Sequence, residues 1–268
     1  MRAFGRKNAR YSEIMPLALT LDAYDLPGFV KVARDFGARE FAYVVTPNID
    51  HVIRYCDDPA FRLTYADATY VLLDSRLLAR ILRLTTRLDP PVCTGSDLVA
   101  ALFAEVIAPE DPIVLIGGTA DQVSALRRKY GLLNLQHYNP PMGFIADPAQ
   151  VDACAQFVER HSPFRFCLLA VGSPQQELLA QRLRQRGSAR GLALCIGAAV
   201  NFITGDERRA PRWMQAMALE WAYRLANNPR RLARRYLVRG PRILRLLGRV
   251  DFRLRPPNST GTGGREVA

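Results

Sequence analysis

The 268-residue sequence is poor in the residues that build metal sites and disulfides. It has five scattered cysteines, none of them in a CxxC pair, and three histidines without ligand spacing. Free thiols in apolar runs behave as small hydrophobes. The low count and the scatter argue against structural zinc and a disulfide framework, and they indicate a reducing compartment.

Long apolar runs are also missing. No stretch approaches the roughly 20 residues that a membrane-spanning helix needs. The N-terminal run from Ile14 to Leu21 is short, is broken by Pro16 and Thr20, and lacks a clear signal-peptide cleavage site. We therefore expect the protein to remain on the cytoplasmic side.

Two nucleotide-binding fingerprints are absent. Neither GxGxxG nor GxxxxGK followed by Ser or Thr occurs, which argues against a NAD enzyme and a P-loop nucleotidase. Hydrophobic residues make up 49% of the chain, so it can bury a large core and is not disordered as a whole.

Negative charge is scarce in one segment only. Between Arg208 and Arg255 there are fourteen arginines and two acids, Glu220 and Asp251. This segment carries the whole net charge of +12, and residues 1–207 are neutral overall. The basic character is therefore local and points to an anionic partner of that segment.

Short apolar runs alternate with amphipathic segments between residues 26 and 200. The runs predict strands at Phe41–Val45, 70–74, Pro112–Gly118, Leu133–Tyr138, Phe164–Gly172 and Leu192–Ala198. Helical patterns cover Ser96–Ile107, Ala120–Tyr130, Pro148–Arg160 and Pro174–Arg186. Repeated βα units predict a mainly parallel, Rossmann-like sheet flanked by helices.

We predict three parts of the chain. Residues 1–205 form the α/β domain, residues 206–255 form a basic, helical C-terminal appendage, and residues 256–268 form a disordered tail.

Small and polar residues follow the predicted strands, where such sheets bind ligands. Gly117-Gly118 suits a phosphate at a helix N-terminus or simply a tight turn. Gln176 suits recognition of a base or sugar edge, or a capping box with Ser173. Asp74 suits a functional carboxylate or the N-cap of the next helix.

Six segments occur in a recognisable order. They are TPN at 46–48, ADATYVLLDS at 66–75, TGSDL at 94–98, VLIGG at 114–118, GSPQQE at 172–177 and RRAPRWMQAMALEWAYRLANNPRRLARRYL at 208–237. Together they resemble the WecG/TagA/CpsF family of bacterial glycosyltransferases. The last segment is the most specific.

The resemblance implies an inverting enzyme that moves a sugar from a UDP-sugar to a polyprenyl-diphosphate-linked saccharide in cell-surface or exopolysaccharide synthesis. It places the enzyme on the inner face of the cytoplasmic membrane. The oligomeric state, including a homo-oligomer, stays open. The rival interpretation is a non-catalytic binding protein for nucleotide-sugar or nucleic acid on the same fold.

In the family pattern an aspartate ends the second strand and acts as the proposed base, and Asp74 matches it. We also expect Thr46 at the catalytic site. Two departures, Ser75 for glycine and Asn201 for aspartate, leave the donor sugar open. We expect donor contacts from Asn48, Gly117, Gly118, Gly172, Pro174, Gln176 and Asn201.

Arginines can hold a diphosphate without a metal. We expect Arg208, Arg209, Arg212 and Arg224 to contact the diphosphate or the acceptor. No DxD motif follows a strand, so we expect neither a metal nor another cofactor.

A stripe of arginines at helical spacing follows this block. Arg231, Arg235, Arg239 and Arg242 begin it, beside an apolar stripe interrupted at Gly240-Pro241. Such a helix suits an anionic membrane surface; packing on the domain is the alternative. No nucleic-acid motif accompanies it, so we expect no nucleic-acid partner.

Overall fold

The computed structural model describes residues 17–257, except for the side chain of Arg231. The start of the apolar run from Ile14 and most of the predicted tail, residues 258–268, therefore lie outside the described residues. Within the described range, no helix combines the length and apolar character needed to cross a bilayer.

Six parallel strands form the main sheet. They are β2 (Ala42–Val45), β3 (Tyr70–Val71), β4 (Ile113–Ile116), β5 (Leu135–Tyr138), β6 (Phe166–Leu169) and β7 (Leu192–Cys195). Their order across the sheet is β3-β2-β7-β6-β4-β5. The four central strands are buried along their whole length, because helices cover both faces.

Nine α-helices lie between residues 17 and 205. They are α1 (Leu26–Phe36), α2 (Ile49–Asp57), α3 (Pro59–Ala66), α4 (Arg76–Thr86), α5 (Gly95–Glu105), α6 (Ala120–Tyr130), α7 (Pro148–Arg160), α8 (Gln175–Arg186) and α9 (Ala199–Thr204). Alternate strand residues point to opposite faces, so Tyr43 and Val45 join one apolar cluster and Ala42 and Val44 join the other. The predicted α/β class with parallel strands is confirmed.

A second, two-stranded sheet joins the two ends of the described chain. Strand β1 (Ala18–Asp22) pairs in parallel with β8 (Asp251–Arg255). The carboxylate of Asp22, 3% exposed, accepts hydrogen bonds from the backbone N–H of Val71 at 2.8 Å and from Arg255. Through these two contacts Asp22 connects the small sheet to strand β3, the strand that precedes Asp74.

Residues 206–255 are helical in short pieces and end in strand β8. The pieces are α10 (Arg212–Ala216), α11 (Glu220–Asn227), α12 (Pro229–Ala233), a π-helical stretch (Arg234–Arg239), two 3₁₀ turns (Gly240–Arg242 and Leu247–Arg249) and α13 (Ile243–Leu246). The prediction of a helical segment missed the strand, because the strand it pairs with in the described part of the chain lies more than 200 residues away in the sequence.

The apolar stripe of this segment is packed on the domain. Leu232, Ile243, Leu247 and Val250 are buried, and the last three join the same apolar cluster as Tyr43. Helix α13 contacts helix α2. For the apolar stripe, the alternative interpretation therefore holds: this side of the segment packs on the domain.

Candidate active site

Turns at the carboxyl ends of the strands bring the predicted site residues to one edge of the sheet. The hydroxyl of Thr46, after β2, donates to the carbonyl oxygen of Cys195 at the end of β7 (3.3 Å). Thr46 Oγ1 also lies 3.4 Å from the Cβ position of Gly95. Thr46 is buried, so it joins the ends of two strands to the start of α5.

Asp74 follows the short strand β3 and is held by two backbone contacts. Its N–H donates to the carbonyl oxygen of Pro47 at 2.9 Å. Its Oδ1 accepts a hydrogen bond from the N–H of Gly95 at 3.2 Å. The interpretation of Asp74 as the cap of the next helix is wrong, because Ser75 caps α4 by accepting from Leu78.

The surroundings of Asp74 raise its pKa to about 7. Burial is the main cause; Glu220 and Asp97 add to it, whereas Arg224 and the N–H of Gly95 oppose it. A carboxyl group that titrates near neutrality can take a proton from a substrate hydroxyl and release it again.

A network of ion pairs connects the α/β part to the C-terminal segment beside Asp74. Asp97 contacts Arg76 at 3.2 Å and Arg209 at 2.6 Å, and Arg76 also pairs with Glu220. Burial raises the pKa of Asp97, but hydrogen bonds from Thr94 and Arg209 outweigh it and lower that pKa overall. Asp97 is thus held as an anion.

Two adjoining cavities open at this junction and share Glu220 and Arg224. The first, of about 240 Å³, is called the polar cavity; it is lined by Phe202, Asp206, Glu207, Arg208, Arg209, Ala210, Gln215, Tyr223, Asn227, Asn228 and the two shared residues. The second, of about 320 Å³, is called the apolar cavity, and Asp74 lies in its wall.

The apolar cavity has walls from both parts of the chain. The α/β part contributes Asn48, Ile49, Asp50, Ile53, Asp74, Ser75, Arg76, Leu77 and Ile81. The C-terminal segment contributes Ala218, Glu220, Trp221, Arg224, Arg235, Tyr236, Gly240, Pro241, Ile243 and Leu244. The cavity therefore exists only when the segment is packed on the domain.

Several predicted donor residues are engaged within the protein. Both ends of the buried amide of Gln176 are bonded: Oε1 accepts from the N–H of Gly197 at 2.8 Å, and Nε2 donates to Glu177 at 2.8 Å. The predicted capping box with Ser173 is wrong, because the N-cap residue of α8 is Pro174 and no side chain caps the helix. Gln176 thus positions the turn after β7.

The two polar asparagines also have structural partners. Asn201 accepts from Gln122 at 2.9 Å and donates to Glu207 at 3.2 Å. Asn48 caps α2, and its Oδ1 lies 3.4 Å from Arg235. Of these two, Asn48 lines the apolar cavity.

The turns after β4 and β6 require glycine. Gly117 and Gly118 have φ angles of 90° and 80°, in the left-handed region that favours glycine. A Cβ on Gly117 would lie 2.9 Å from the carbonyl group of Ala170. Gly172 has φ 79° in the corresponding turn after β6. Thr119 then caps α6 with a capping box.

The predicted diphosphate arginines divide into two groups. Arg208, Arg209 and Arg224 line the polar cavity, and the Arg224 guanidinium lies 5.2 Å from the ring centre of Phe202. Arg212 is exposed and lines neither cavity.

The predicted membrane arginines contact helix α2. Arg235 and Arg239 lie 3.6 Å and 3.9 Å from Asp50, and Arg242 lies 3.1 Å from Asp57. Arg231 falls outside the described side chains. These ion pairs help to dock the segment on the domain.

Sequence reasoning missed Arg76, Glu220, Trp221 and Tyr236 at this site. All four had a signal: Arg76 directly follows the motif at 66–75, and Glu220, Trp221 and Tyr236 lie in the motif at 208–237. Among residues 17–257, no group of three or more His, Cys, Asp or Glu side chains could hold a metal ion.

The Glycosyl transferase WecG/TagA/CpsF family model matches residues 14–256. The match covers nearly the whole chain, so the chain belongs to this family of glycosyltransferases. A glycosyltransferase takes a nucleotide-sugar donor and a saccharide acceptor in general. The carboxylate, the arginines and the two adjoining cavities are consistent with that class.

Proposed function

We propose that this protein is an inverting glycosyltransferase that moves a sugar from a UDP-sugar to a polyprenyl-diphosphate-linked saccharide. The observation that carries the proposal is Asp74, a carboxyl group with a pKa of about 7 in the wall of a cavity at the carboxyl edge of the sheet. Family membership supports the class of reaction.

Asp74 acts as the general base. As the acceptor hydroxyl oxygen attacks the anomeric carbon, Asp74 takes the hydroxyl proton. The bond between the anomeric carbon and the β-phosphate oxygen breaks, and UDP leaves with the electron pair. Attack from the opposite face inverts the anomeric centre, and no second carboxylate is needed because UDP is a stabilised leaving group.

Arginines of the polar cavity stabilise the leaving diphosphate. Arg208 and Arg209 lie in its wall, and Arg224 reaches both cavities. Guanidinium groups form strong, often paired hydrogen bonds with phosphate oxygens. We propose that they serve in place of a metal ion, and that Gly117, Gly118 and the N-terminus of α6 contact the donor.

An anionic membrane on the cytoplasmic side presents the lipid-linked acceptor. Leu237, Val238 and Leu244 are 58%, 65% and 67% exposed, and Arg234 and Arg245 beside them are exposed too. Exposed apolar and cationic side chains on one segment favour binding to an anionic lipid surface.

The test is release of UDP from a panel of UDP-sugars, with and without a short-chain polyprenyl-diphosphate-linked saccharide. We expect acceptor-dependent release that survives chelation by EDTA. A protein that binds UDP but releases none with any acceptor would be the non-catalytic binder instead. Loss of activity in EDTA would overturn the metal-free part alone.

A further inference from the structure

We propose that the apolar cavity binds the isoprenoid chain of a lipid-diphosphate acceptor, with Trp221 against the chain. The inference rests on the proposed function and adds a lipid-binding site to it. The occupant is an amphiphile with an anionic diphosphate head and an apolar stem.

The composition of the wall favours an apolar stem. Ile49, Ile53, Leu77 and Ile81 on α2 and α4 face Trp221, Tyr236, Pro241, Ile243 and Leu244 on the C-terminal segment. The volume of about 320 Å³ falls in the range of roughly 300–1,000 Å³ of small-molecule sites. Covering this surface with hydrocarbon removes it from water, which is favourable.

Six charged side chains also line the cavity; Arg235 pairs with Asp50 and Arg76 pairs with Glu220. Asp74 and the guanidinium groups of Arg76 and Arg224 are part of the lining, and Arg224 is also part of the polar cavity. A diphosphate near Arg224 would place the attached sugar of the acceptor toward Asp74 and the stem against the apolar wall.

One apolar side chain of the cavity wall is exposed to solvent. Leu244 lines it and is 67% exposed. A polyprenyl chain longer than the cavity would leave it past Leu244. This exit fits an acceptor whose chain end stays in a membrane.

The two tryptophans of the chain provide a direct probe. Trp221 lines the cavity, whereas Trp213 is 61% exposed and lines neither cavity. In Trp213→Phe, the remaining emission comes from Trp221 alone. We expect farnesyl diphosphate, kept below micelle formation, to shift this emission saturably to shorter wavelength, and inorganic pyrophosphate to leave it unshifted.

The matched protein is Trp221→Phe, in which farnesyl diphosphate should cause no saturable shift. Three results would each overturn the inference. The first is a saturable emission shift in Trp221→Phe but not in Trp213→Phe. The others are an equal shift of Trp213→Phe with pyrophosphate, and no shift of Trp213→Phe with farnesyl diphosphate.

A second pair of variants tests the wall on helix α4. Leu77→Gln, made in the Trp213→Phe protein, should weaken farnesyl diphosphate binding about tenfold, since an apolar contact is lost and an amide is buried. Leu84→Gln is the control, because Leu84 lies on the same helix and is 85% exposed. Equal affinities in the two variants would remove Leu77 and its wall from the site.

The two proposals fail in different ways. If the proposed function is wrong, wild-type protein releases no UDP with any acceptor, whatever the tryptophan reports. If this inference is wrong, UDP release is unaffected and the tryptophan response is absent.

Discussion

The α/β part, residues 17–205, and the C-terminal segment, residues 206–255, stabilise their helices in different ways. Each helix from α1 to α7 has a side-chain N-cap, supplied by Asp25, Asn48, Asp58, Ser75, Thr94, Thr119 and Asp147. Two helices of the α/β part, α8 and α9, lack one, and so do all the helices α10 to α13. Side-chain caps therefore mark the starts of α1 to α7 and not those of the later helices.

The helices of the C-terminal segment are also too short to be stable alone. Helices α10 to α13 have four to eight residues, whereas isolated helices below about 12–15 residues are marginal in water. Contacts with the α/β part hold them: Arg80 donates to the carbonyl oxygens of Ala216 and Met217, and Arg76 pairs with Glu220.

The proposed general base therefore belongs to the α/β part, and the C-terminal segment completes the cavities around it. Asp74 is fixed by the α/β part alone through Pro47 and Gly95. Both cavities need residues from the C-terminal segment. Any change that loosens the segment should therefore open the site without displacing the base.

The largest expected effect comes from Asp74→Asn. We expect transfer to fall by about 10²–10⁴-fold, the usual contribution of a general base, while affinity for UDP changes little. Steady-state kinetics with a lipid-linked acceptor and calorimetry with UDP measure the two quantities. Asp35→Asn, at an exposed position, is the control. Near-full activity of Asp74→Asn would remove this residue from the mechanism.

Arg255→Met tests the link between the two parts through strand β8. The change leaves the buried carboxylate of Asp22 without its cation, and we expect a loss of about 2–4 kcal/mol in the free energy of unfolding. Denaturant melts measure it. Arg253→Met, on the same strand with an exposed partner, should cost less than about 0.5 kcal/mol.

Equal losses in the two variants would show that Asp22 does not depend on Arg255. Removing residues after Gly205 would delete β8 and the buried Ile243, Leu247 and Val250, so a truncated chain tests stability as well as activity.

The pKa of Asp74 predicts opposite effects of pH on activity and stability. Because the base must be ionised, kcat/KM should fall about tenfold per pH unit below about 7. In the unfolded chain the same carboxyl titrates near its ordinary value of 3.8, so between these two pH values the folded state binds more protons. Stability from this group is therefore lost as pH rises toward 7.

Asp74→Asn should thus be more stable than wild type at pH 8 by about 1–3 kcal/mol, and the gain should shrink at pH 5. Thermal melts at both values measure this. A gain independent of pH, or greater at pH 5, would contradict the raised pKa.

The smallest effect is expected from Arg80→Met at the docking contact of α10. Loss of two hydrogen bonds from a solvent-exposed guanidinium should cost about 0.5–1 kcal/mol of local stability. Hydrogen exchange of Arg212–Ala216 should then rise about two- to fivefold. Arg83→Met, on the same helix but paired with Asp89, should leave that exchange unchanged.

Local sequence determined most of the α/β part. The apolar runs predicted all six strands of the main sheet, and the helices Ala120–Tyr130 and Pro148–Arg160 have the predicted bounds. Such elements depend on apolar periodicity and caps, which lie within a few residues of each other. The motifs also identified Asp74 and the family.

The small sheet and the completed site depend on contacts that no local pattern encodes. Strand β8 forms by pairing with β1, which lies more than 200 residues earlier in the sequence, so no local pattern predicts it. From sequence, the amide of Gln176 could bind a ligand or stabilise the fold. In the structure it forms hydrogen bonds with Gly197 and Glu177.

The stripe of arginines shows the same limit. The spacing of the arginines predicted that they share one face of a helix. In the structure, some of them contact the domain, because they pair with Asp50 and Asp57 on α2. The order of the residues fixes which positions are apolar, charged or able to cap a helix. The surface that each of them meets depends on contacts between distant parts of the chain, and for that reason the apolar cavity beside Asp74 became visible only in the folded protein.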